Sequence, residues 1–306
     1  MNAYDETVPA VSICLPVYNG EPYLAAAIES MLAQTFTDFE LIISDNASTD
    51  RTEQICRKFA EADARIRYYR NERNIGGARN QALAVQYSRG RYVRLSAHDD
   101  KLAPTHLEEC VAVLEERPEV VIAYTRTVVI NEADAEINQF HATRGTADTP
   151  SGRFRELMFR NYYCECMYGV IRGDALRSVR PMENFTNSDA VFLCRLAFLG
   201  PFVRIDRPLF YLRYHAKNYK LNWRDRMVWY NPAAKGKASF PNWLELSSFC
   251  DAVLRAPISL TERLRCGAAL LHWIVRYSPN LAKDVVVAAS MYVPRARPRA
   301  GVYNWE

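Results

Sequence analysis

Along the first 130 residues, short apolar runs alternate with segments whose apolar positions recur every three or four residues. Val11-Ser12-Ile13-Cys14-Leu15-Pro16-Val17-Tyr18 reads as a buried strand, with Pro16 near its end, where a missing amide donor matters least. Asn19-Gly20 turns the chain and Pro22 stands where a helix can start. Tyr23, Leu24, Ala27, Ile28, Met31 and Leu32 then recur at helical spacing. Phe39 to Ser44 makes a second strand running into Asp45-Asn46-Ala47-Ser48-Thr49-Asp50. Asp50 with Glu53 predicts a capping box on a helix carrying Ile55 and Phe59. Ile66 to Tyr69 is a third strand, and Asn74-Ile75-Gly76-Gly77 leads into a helix with Ala78, Ala82 and Val85. Tyr92 to Leu95 is a fourth. Pro104, Leu107, Val111 and Leu114 predict a helix stopped by Pro118, with strand material at Val120–Tyr124 and Val128–Ile130. This alternation predicts βαβ units, hence an α/β fold with a mostly parallel central sheet flanked by helices.

Beyond residue 131 the pattern loosens. Residues 132–150 are polar, contain Gly145 and Pro150, and read as a mobile loop. Phe154, Leu157 and Met158 suggest a short helix, and Met167–Ile171 a strand. A helix from Ser188-Asp189 carries Phe192, Leu196 and Leu199 and ends at Gly200-Pro201. Phe202–Ile205 and Leu209–Leu212 read as paired strands closing on Arg213-Tyr214-His215. Residues 216–242 are rich in Trp, Tyr, Asn and Lys without a period. Farther on, Leu260, Leu264, Leu271, Ile274 and Val275 fall on one helical stripe. With Trp243, Trp273, Arg263, Arg265 and Arg276, that stripe is expected to pack against the preceding domain or a second copy in a homodimer. Peripheral contact with a membrane is the other reading.

Composition narrows the classes. With 306 residues, 49% hydrophobic and 24% charged, the chain fits a soluble globular protein. A net charge of +4, with one basic run at Arg295-Ala296-Arg297-Pro298-Arg299, argues against nucleic acid as partner. Eight cysteines show no zinc spacing, Cys164-Glu165-Cys166 being the closest pair. The sequence opens Met1-Asn2-Ala3-Tyr4-Asp5-Glu6 without a hydrophobic leader, and no apolar run approaches the roughly 20 residues of a membrane span. A cytoplasmic enzyme with reduced thiols is the expectation, with attachment at the inner membrane face left open.

The chemistry concentrates in Arg91 to Pro104. There a strand ends in Ala97-His98-Asp99-Asp100, and Pro104 opens the next helix. Carboxylates beside an imidazole at the carboxyl end of a strand suit a hard divalent cation that also holds phosphate oxygens. That edge is where ligands bind in open α/β sheets. The plain alternative is that Asp99 and Asp100 shape a turn. A dinucleotide oxidoreductase would need G-x-G-x-x-G after the first strand, and a nucleotidyltransferase a Gly-rich basic phosphate loop. Tyr18-Asn19-Gly20-Glu21 is neither.

Four segments in order resemble family 2 glycosyltransferases: Val11 through Asn19, Ser44 through Asp50, Asn74 through Asn80, and Ala97-His98-Asp99-Asp100 with Pro104. The resemblance is clear over residues 11–131 and looser to 215. It implies the GT-A-type fold, with residues 1–215 as catalytic domain and 216–306 as a loop plus a helical C-terminal extension. Within the domain, residues 8–131 would hold the nucleotide sugar and 132–215 the acceptor. It further implies inverting transfer from a nucleoside-diphosphate sugar (UDP, dTDP or GDP type) to a glycan or lipid-linked acceptor, assisted by Mn²⁺ or Mg²⁺.

Carried onto this chain, the family's roles give Pro16, Val17, Tyr18, Asn19, Asp45, Arg79, His98 and Asp99 to the nucleotide. Asp45 would accept from a base nitrogen or form an Asx turn, and Tyr18 would face the nucleoside or simply pack. Asp99 and His215 are the metal ligands. Ala97 stands where the family commonly has an acidic residue, which leaves more to Asp99 and Asp100. Asp189 matches the catalytic base, with Ser188 where a glutamate is common and with Glu183 and Asp174 as fallbacks. A protein that binds sugar nucleotide without turnover remains the non-enzymatic alternative.

Overall fold

The four apolar runs of the first hundred residues form β1 (Val11–Val17), β2 (Phe39–Asp45), β3 (Ile66–Arg70) and β4 (Tyr92–Leu95), all parallel, in the spatial order β3-β2-β1-β4. The structure, a computed structural model, describes residues 8–159, 164–215 and 240–292. Helices α1 (Leu24–Leu32), α2 (Thr52–Ala62) and α3 (Gly77–Gln86) make the crossovers. After β4 come β5 (Lys101–Leu102), α4 (His106–Glu116), β6 (Ile122–Ile130), β7 (Glu136–Phe140) and α5 (Pro150–Met158). A 3-10 turn (Glu165–Tyr168), β8 (Val170–Arg172), α6 (Gly173–Ser178), α7 (Ser188–Ala197) and β9 (Phe202–Arg213) complete the sheet region. Two helices, α8 (Pro241–Arg255) and α9 (Leu260–Tyr292), follow.

Helices cover both faces of the sheet, so β1 and β2 are buried on both sides and read as continuous apolar runs. Their alternation sorts the core. Ile13 and Leu15 pack with Leu24, Ile28, Leu107 and Leu114 of α1 and α4, while Cys14 and Ile42 join Ala84, Phe154, Leu193 and Trp273 on the other face. Burying one such aliphatic side chain stabilises by about 1.5–3 kcal/mol. The central sheet continues β4-β8-β6-β9-β5, with β8 antiparallel to both neighbours and β6 parallel to β9. The expected α/β fold with a large central sheet and a helical C-terminal region is what the chain adopts, but the sheet is mixed: β3-β2-β1-β4 and β6-β9 pair in parallel, while β8, β7 and β5 pair antiparallel.

Several local expectations need correction. Phe202–Ile205 and Leu209–Leu212 do not pair with each other; they are one strand, β9, laid along β6 with register shifts around Arg126. Val120–Tyr124 and Val128–Ile130 likewise merge into β6, apart from the first two residues. The polar stretch 132–150 contains β7, which pairs with β6 and is mostly exposed, so it carries no apolar alternation to betray it. The predicted capping box forms only in part. Asp50 Oδ1 accepts from Thr52 N at 3.0 Å, but Glu53 bonds Arg57 and Arg70 instead.

Of the stripe expected to pack on the preceding domain or on a second copy, Leu260, Leu264, Leu271 and Val275 face away from the domain, while Ile274 packs against its core. Cys266, Ala269, Leu270, Trp273 and Leu281 make the buried face of α9. Small residues let α9 approach α5 and α8 closely, and Trp273 fills the space between. No helix among the described residues is long and apolar enough to cross a membrane. Most of the Trp- and Lys-rich stretch (216–239), the basic run Arg295–Arg299 and Met1–Glu6 lie outside the described residues.

Candidate active site

The carboxyl ends of β1, β2 and β4 share one edge. Val17 lies in register with Asp45, Cys14 with Leu95, and Ser96 N donates to Cys14 O. Beyond β1 the chain reverses through Asn19, whose φ of +52° is left-handed. Asn19 Oδ1 accepts from Thr49 N at 2.8 Å, and Asn19 N donates to Ser48 Oγ at 3.0 Å, so the β1 and β2 turns are locked together. Gly20 is needed here, because a Cβ would lie 2.7 Å from Val17 Cγ2 and 2.8 Å from the His98 ring. His98 is thus seated against the β1 turn. Tyr18 is 41% exposed, which leaves its ring available to a ligand, while Val17 is buried and Pro16 half-buried.

Asp45 is fully buried. Its Oδ1 accepts from Ser48 N and Oγ at 2.9 and 2.6 Å, and its Oδ2 from the Tyr68 hydroxyl at 2.8 Å. The turn reading therefore describes Asp45 as it stands, and contact with a base requires one of these bonds to open. A set of asparagines that the sequence hinted at only as turn formers fixes the loop before α3. Asn46 Oδ1 accepts from Ile75 N, Asn46 Nδ2 donates to Asn74 Oδ1, and Asn80 Nδ2 donates to Ser44 O. Gly76, at φ +89°, lets that loop enter the helix. Arg79 is exposed on the first turn of α3 and borders a cleft of about 570 Å³ that Phe192 of α7 also lines.

Past β4, Asp99 and His215 meet: His215 Nε2 lies 2.8 Å from Asp99 Oδ2, although 116 residues separate them. Burial alone would raise the Asp99 pKa, but the His215 hydrogen bond and the charges of His98 and His215 hold it below the usual carboxylate value. His215 is raised in turn, chiefly by that hydrogen bond. Asp100 does not join them as a ligand. It is buried, accepts from Arg213 N at 2.8 Å, and is pushed well up by burial and by the charge of Asp99. The extra duty expected of Asp100 is structural: it ties the end of β9 to β4.

Arg213 is the residue the sequence reading undervalued. Its Nε donates to Asp99 O at 2.9 Å and its Nη1 to Asn131 O at 2.8 Å, while Nη2 pairs with Asp134. Its guanidinium also lies 4.5 Å from the Tyr23 ring centroid, and Tyr23 packs against His215 at 5.0 Å. Arg213 and Tyr23 together hold the backbone of one ligand candidate and the ring of the other. Beneath them Arg94 is fully buried, donating to Leu95 O and bonded to Ser96 Oγ, and burial lowers its pKa to about 10.

Asp189 begins α7 after Asn187, which takes a left-handed φ of +67°. Its Oδ1 accepts from Ala190 N at 2.9 Å. Cys164 lies against it: burial raises the thiol pKa, and the charge of Asp189 with a thiol hydrogen bond to it raises it further. Cys164 leads into the 3-10 turn packed on β4 and β6. The next residue, Glu165, is buried with no partner on Oε2, and burial pushes it up to about 7. Only the acid inside the otherwise apolar Cys164–Met167 run could have flagged it.

The two fallback bases are removed. Glu183 Oε2 is paired with Arg195 Nη2 at 2.7 Å, and Asp174 sits on α6 after β8, whose end lies level with Tyr92 at the opposite edge.

Asp99 Oδ2 and His215 Nε2 bond each other, and a hard oxygen beside an imidazole nitrogen suits Mn²⁺ or Mg²⁺ once that bond is given up and phosphate oxygens and water complete the shell. No group of three or more such side chains occurs among the described residues.

Comparisons agree with this architecture. Staphylococcus aureus TarS 1–349 in complex with UDP-GlcNAc superposes with a TM-score of 0.66 at 15% identity, covering 93% of this chain and 82% of that one. Mannosyltransferase PcManGT of Pyrobaculum calidifontis, with GDP-Man and Mn²⁺, gives 0.52 at 17% identity, covering 94% and 82%. In sequence, the uncharacterized glycosyltransferase MJ1057 of Methanocaldococcus jannaschii is 31% identical over 134 residues, 43% of this chain and 46% of that protein. The matched stretch spans less than half the length of the first curated relatives it resembles. The family described as Glycosyl transferase family 2 matches residues 12–178, more than half of the sequence. The chain belongs to glycosyl transferase family 2.

Proposed function

We propose that this protein is an inverting glycosyltransferase of the cytoplasm. It moves a sugar from a UDP-, dTDP- or GDP-type donor to a hydroxyl of a glycan or lipid-linked acceptor. The observation that carries the reading is the convergence of Asp99 and His215 at 2.8 Å on the carboxyl edge of β4. Nucleotide-sugar complexes of proteins with the same fold support the donor class. Pro16, Val17, Tyr18 and Asn19 line the nucleoside site, with Asp45 and Arg79 on the base side and His98 near the diphosphate. Asp99 and His215 would hold a divalent cation, which would supply charge neutralisation for the departing diphosphate.

Asp189 is the base. Its carboxylate takes the proton from the acceptor hydroxyl as that oxygen bonds the anomeric carbon and the bond to the diphosphate oxygen breaks. Asp189 stands in the first turn of α7, and its positioning supplies much of the effect. Ala97 favours one competing reading, a protein that binds donor without turnover.

The test is a thermal-shift series with UDP, dTDP and GDP, each with and without Mn²⁺, followed by donor turnover. One nucleotide should stabilise by about 2.7 kcal/mol at 100 times its Kd, and more with Mn²⁺ than without. Asp189→Asn should keep that shift and lose roughly 1,000-fold in turnover. A chain stabilised by none of the three ends the glycosyltransferase reading. A shift without turnover of any donor leaves the binder.

A further inference from the structure

Helix α9 runs 33 residues, about 50 Å, and its apolar stripe is turned away from the protein. Leu260, Leu264, Leu271, Val275 and Val286 are each at least 66% exposed. Their spacing of four and seven, continued through Ala282, puts them on one line along the helix. Such a contiguous exposed stripe marks an interaction surface.

The exposed charges beside it are basic. Arg265, Arg276 and Lys283 follow the stripe along one flank and are exposed. The helix has two carboxylates, both largely engaged by the protein. Glu262 accepts from Ser151 N at 2.8 Å and pairs with Arg265 Nη1 at 2.6 Å, and Asp284 accepts from Asn242 N at 2.8 Å and Asn242 Nδ2 at 2.9 Å. In sequence, the residues after the helix add Arg295, Arg297 and Arg299 before the first acid, Glu306. A second copy of the same face would bring cations against cations. An anionic lipid surface complements both the charge and the apolar line, as for helices that lie in a membrane interface.

We propose that the outward face of α9 docks this protein on an anionic bilayer surface, with the apolar stripe in the headgroup boundary and the basic flank on lipid phosphates. On the glycosyltransferase reading above, such docking would present a membrane-held acceptor to Asp189, but the docking itself does not depend on that reading.

The experiment is flotation of the full-length protein with vesicles of phosphatidylcholine alone or with about 30% phosphatidylglycerol. The protein should float only with the anionic vesicles and be released by about 0.5 M salt. Arg265→Gln and Arg276→Gln should each weaken binding about fivefold. The triple variant Leu264→Ser, Leu271→Ser, Val275→Ser should abolish flotation while its Tm and nucleotide-induced shift stay unchanged. A wild-type protein that never floats overturns the proposal. So does one that is dimeric by light scattering and becomes monomeric in the triple variant, which would assign the face to a second copy. Flotation without any nucleotide-induced shift would sink the catalytic reading and leave the docking intact.

Discussion

At the amino end of β2, Glu40 is buried and saturated. Ser12 Oγ and Arg89 N donate to Oε1 at 2.7 and 2.9 Å, while Arg67 and Arg89 guanidinium groups reach Oε2 at 2.9 and 3.0 Å. At the carboxyl end of β4, Asp99 has one side-chain partner among the described residues, His215. Both carboxylates sit near the strands of one sheet, and both stay below the usual pKa against the pull of burial. They differ in what is left over. Every lone pair of Glu40 that faces the protein is used, so the group has nothing to offer a ligand. Asp99 keeps coordination capacity, and its backbone rather than its carboxylate is what Arg213 secures. A charge that holds the fold together is closed off, whereas the charge proposed to meet a ligand is positioned through its neighbours.

The largest effect that tests this contrast belongs to the saturated end. Glu40→Ala leaves Arg67, Arg89 and the Ser12 hydroxyl facing a cavity, and the loss should be about 3 kcal/mol in denaturant unfolding. Nucleotide binding at low temperature should survive, because Glu40 is at the far end of β2. If Glu40→Ala costs nothing in stability but removes binding, the division between the two ends is wrong.

The unsaturated end should differ in what it does to binding. His215→Ala removes one partner of a pair whose side chains are only 14% and 18% exposed, so it too should cost stability, about 1–3 kcal/mol. It should weaken the Mn²⁺-dependent part of nucleotide binding about 100-fold, about 2.7 kcal/mol, in calorimetric titrations with and without the metal. Equal losses with and without Mn²⁺ would deny His215 its role as ligand.

The same contrast explains what was legible from residue order. Strands β1 to β4 announced themselves because helices bury both their faces, which demands unbroken apolar runs. Asp99, His215 and Asp189 could be named as candidates because they stand in short segments whose chemistry is local, and the structure brings Asp99 and His215 together. Arg213 was not, since its worth comes from four partners drawn from Tyr23, Asp99, Asn131 and Asp134, which only the long-range register of β9 brings together. β7 was missed because backbone pairing to β6, and no apolar face, defines it. On α9 the periodicity was read correctly as a stripe, but Leu260, Leu264, Leu271 and Val275 do not pack on the domain, whereas Trp273 and Ile274 do. Spacing identifies a face, but whether protein or solvent covers it depends on Cys266, Ala269 and Trp273 packing more closely on the other side.

Glu165 lies between the two cases, being buried like Glu40 yet without a partner on Oε2. Its folded pKa of about 7 exceeds the 4.5 of a free glutamate, because burial outweighs the pull of Arg144 and Arg204. The unfolded chain therefore releases this proton near pH 4.5 while the folded one keeps it to about 7, and stability falls as pH rises across that window. Below the window both states hold the proton and the group is neutral to stability; above it the full penalty applies. Glu165→Gln, which keeps the shape without the charge, should match the wild type at pH 4 and exceed it at pH 8 by on the order of 2 kcal/mol. Urea unfolding at the two pH values measures the difference. A variant less stable at pH 8 would mean that the carboxylate has a partner when ionised, and Glu165 would then belong with Glu40 among the closed charges.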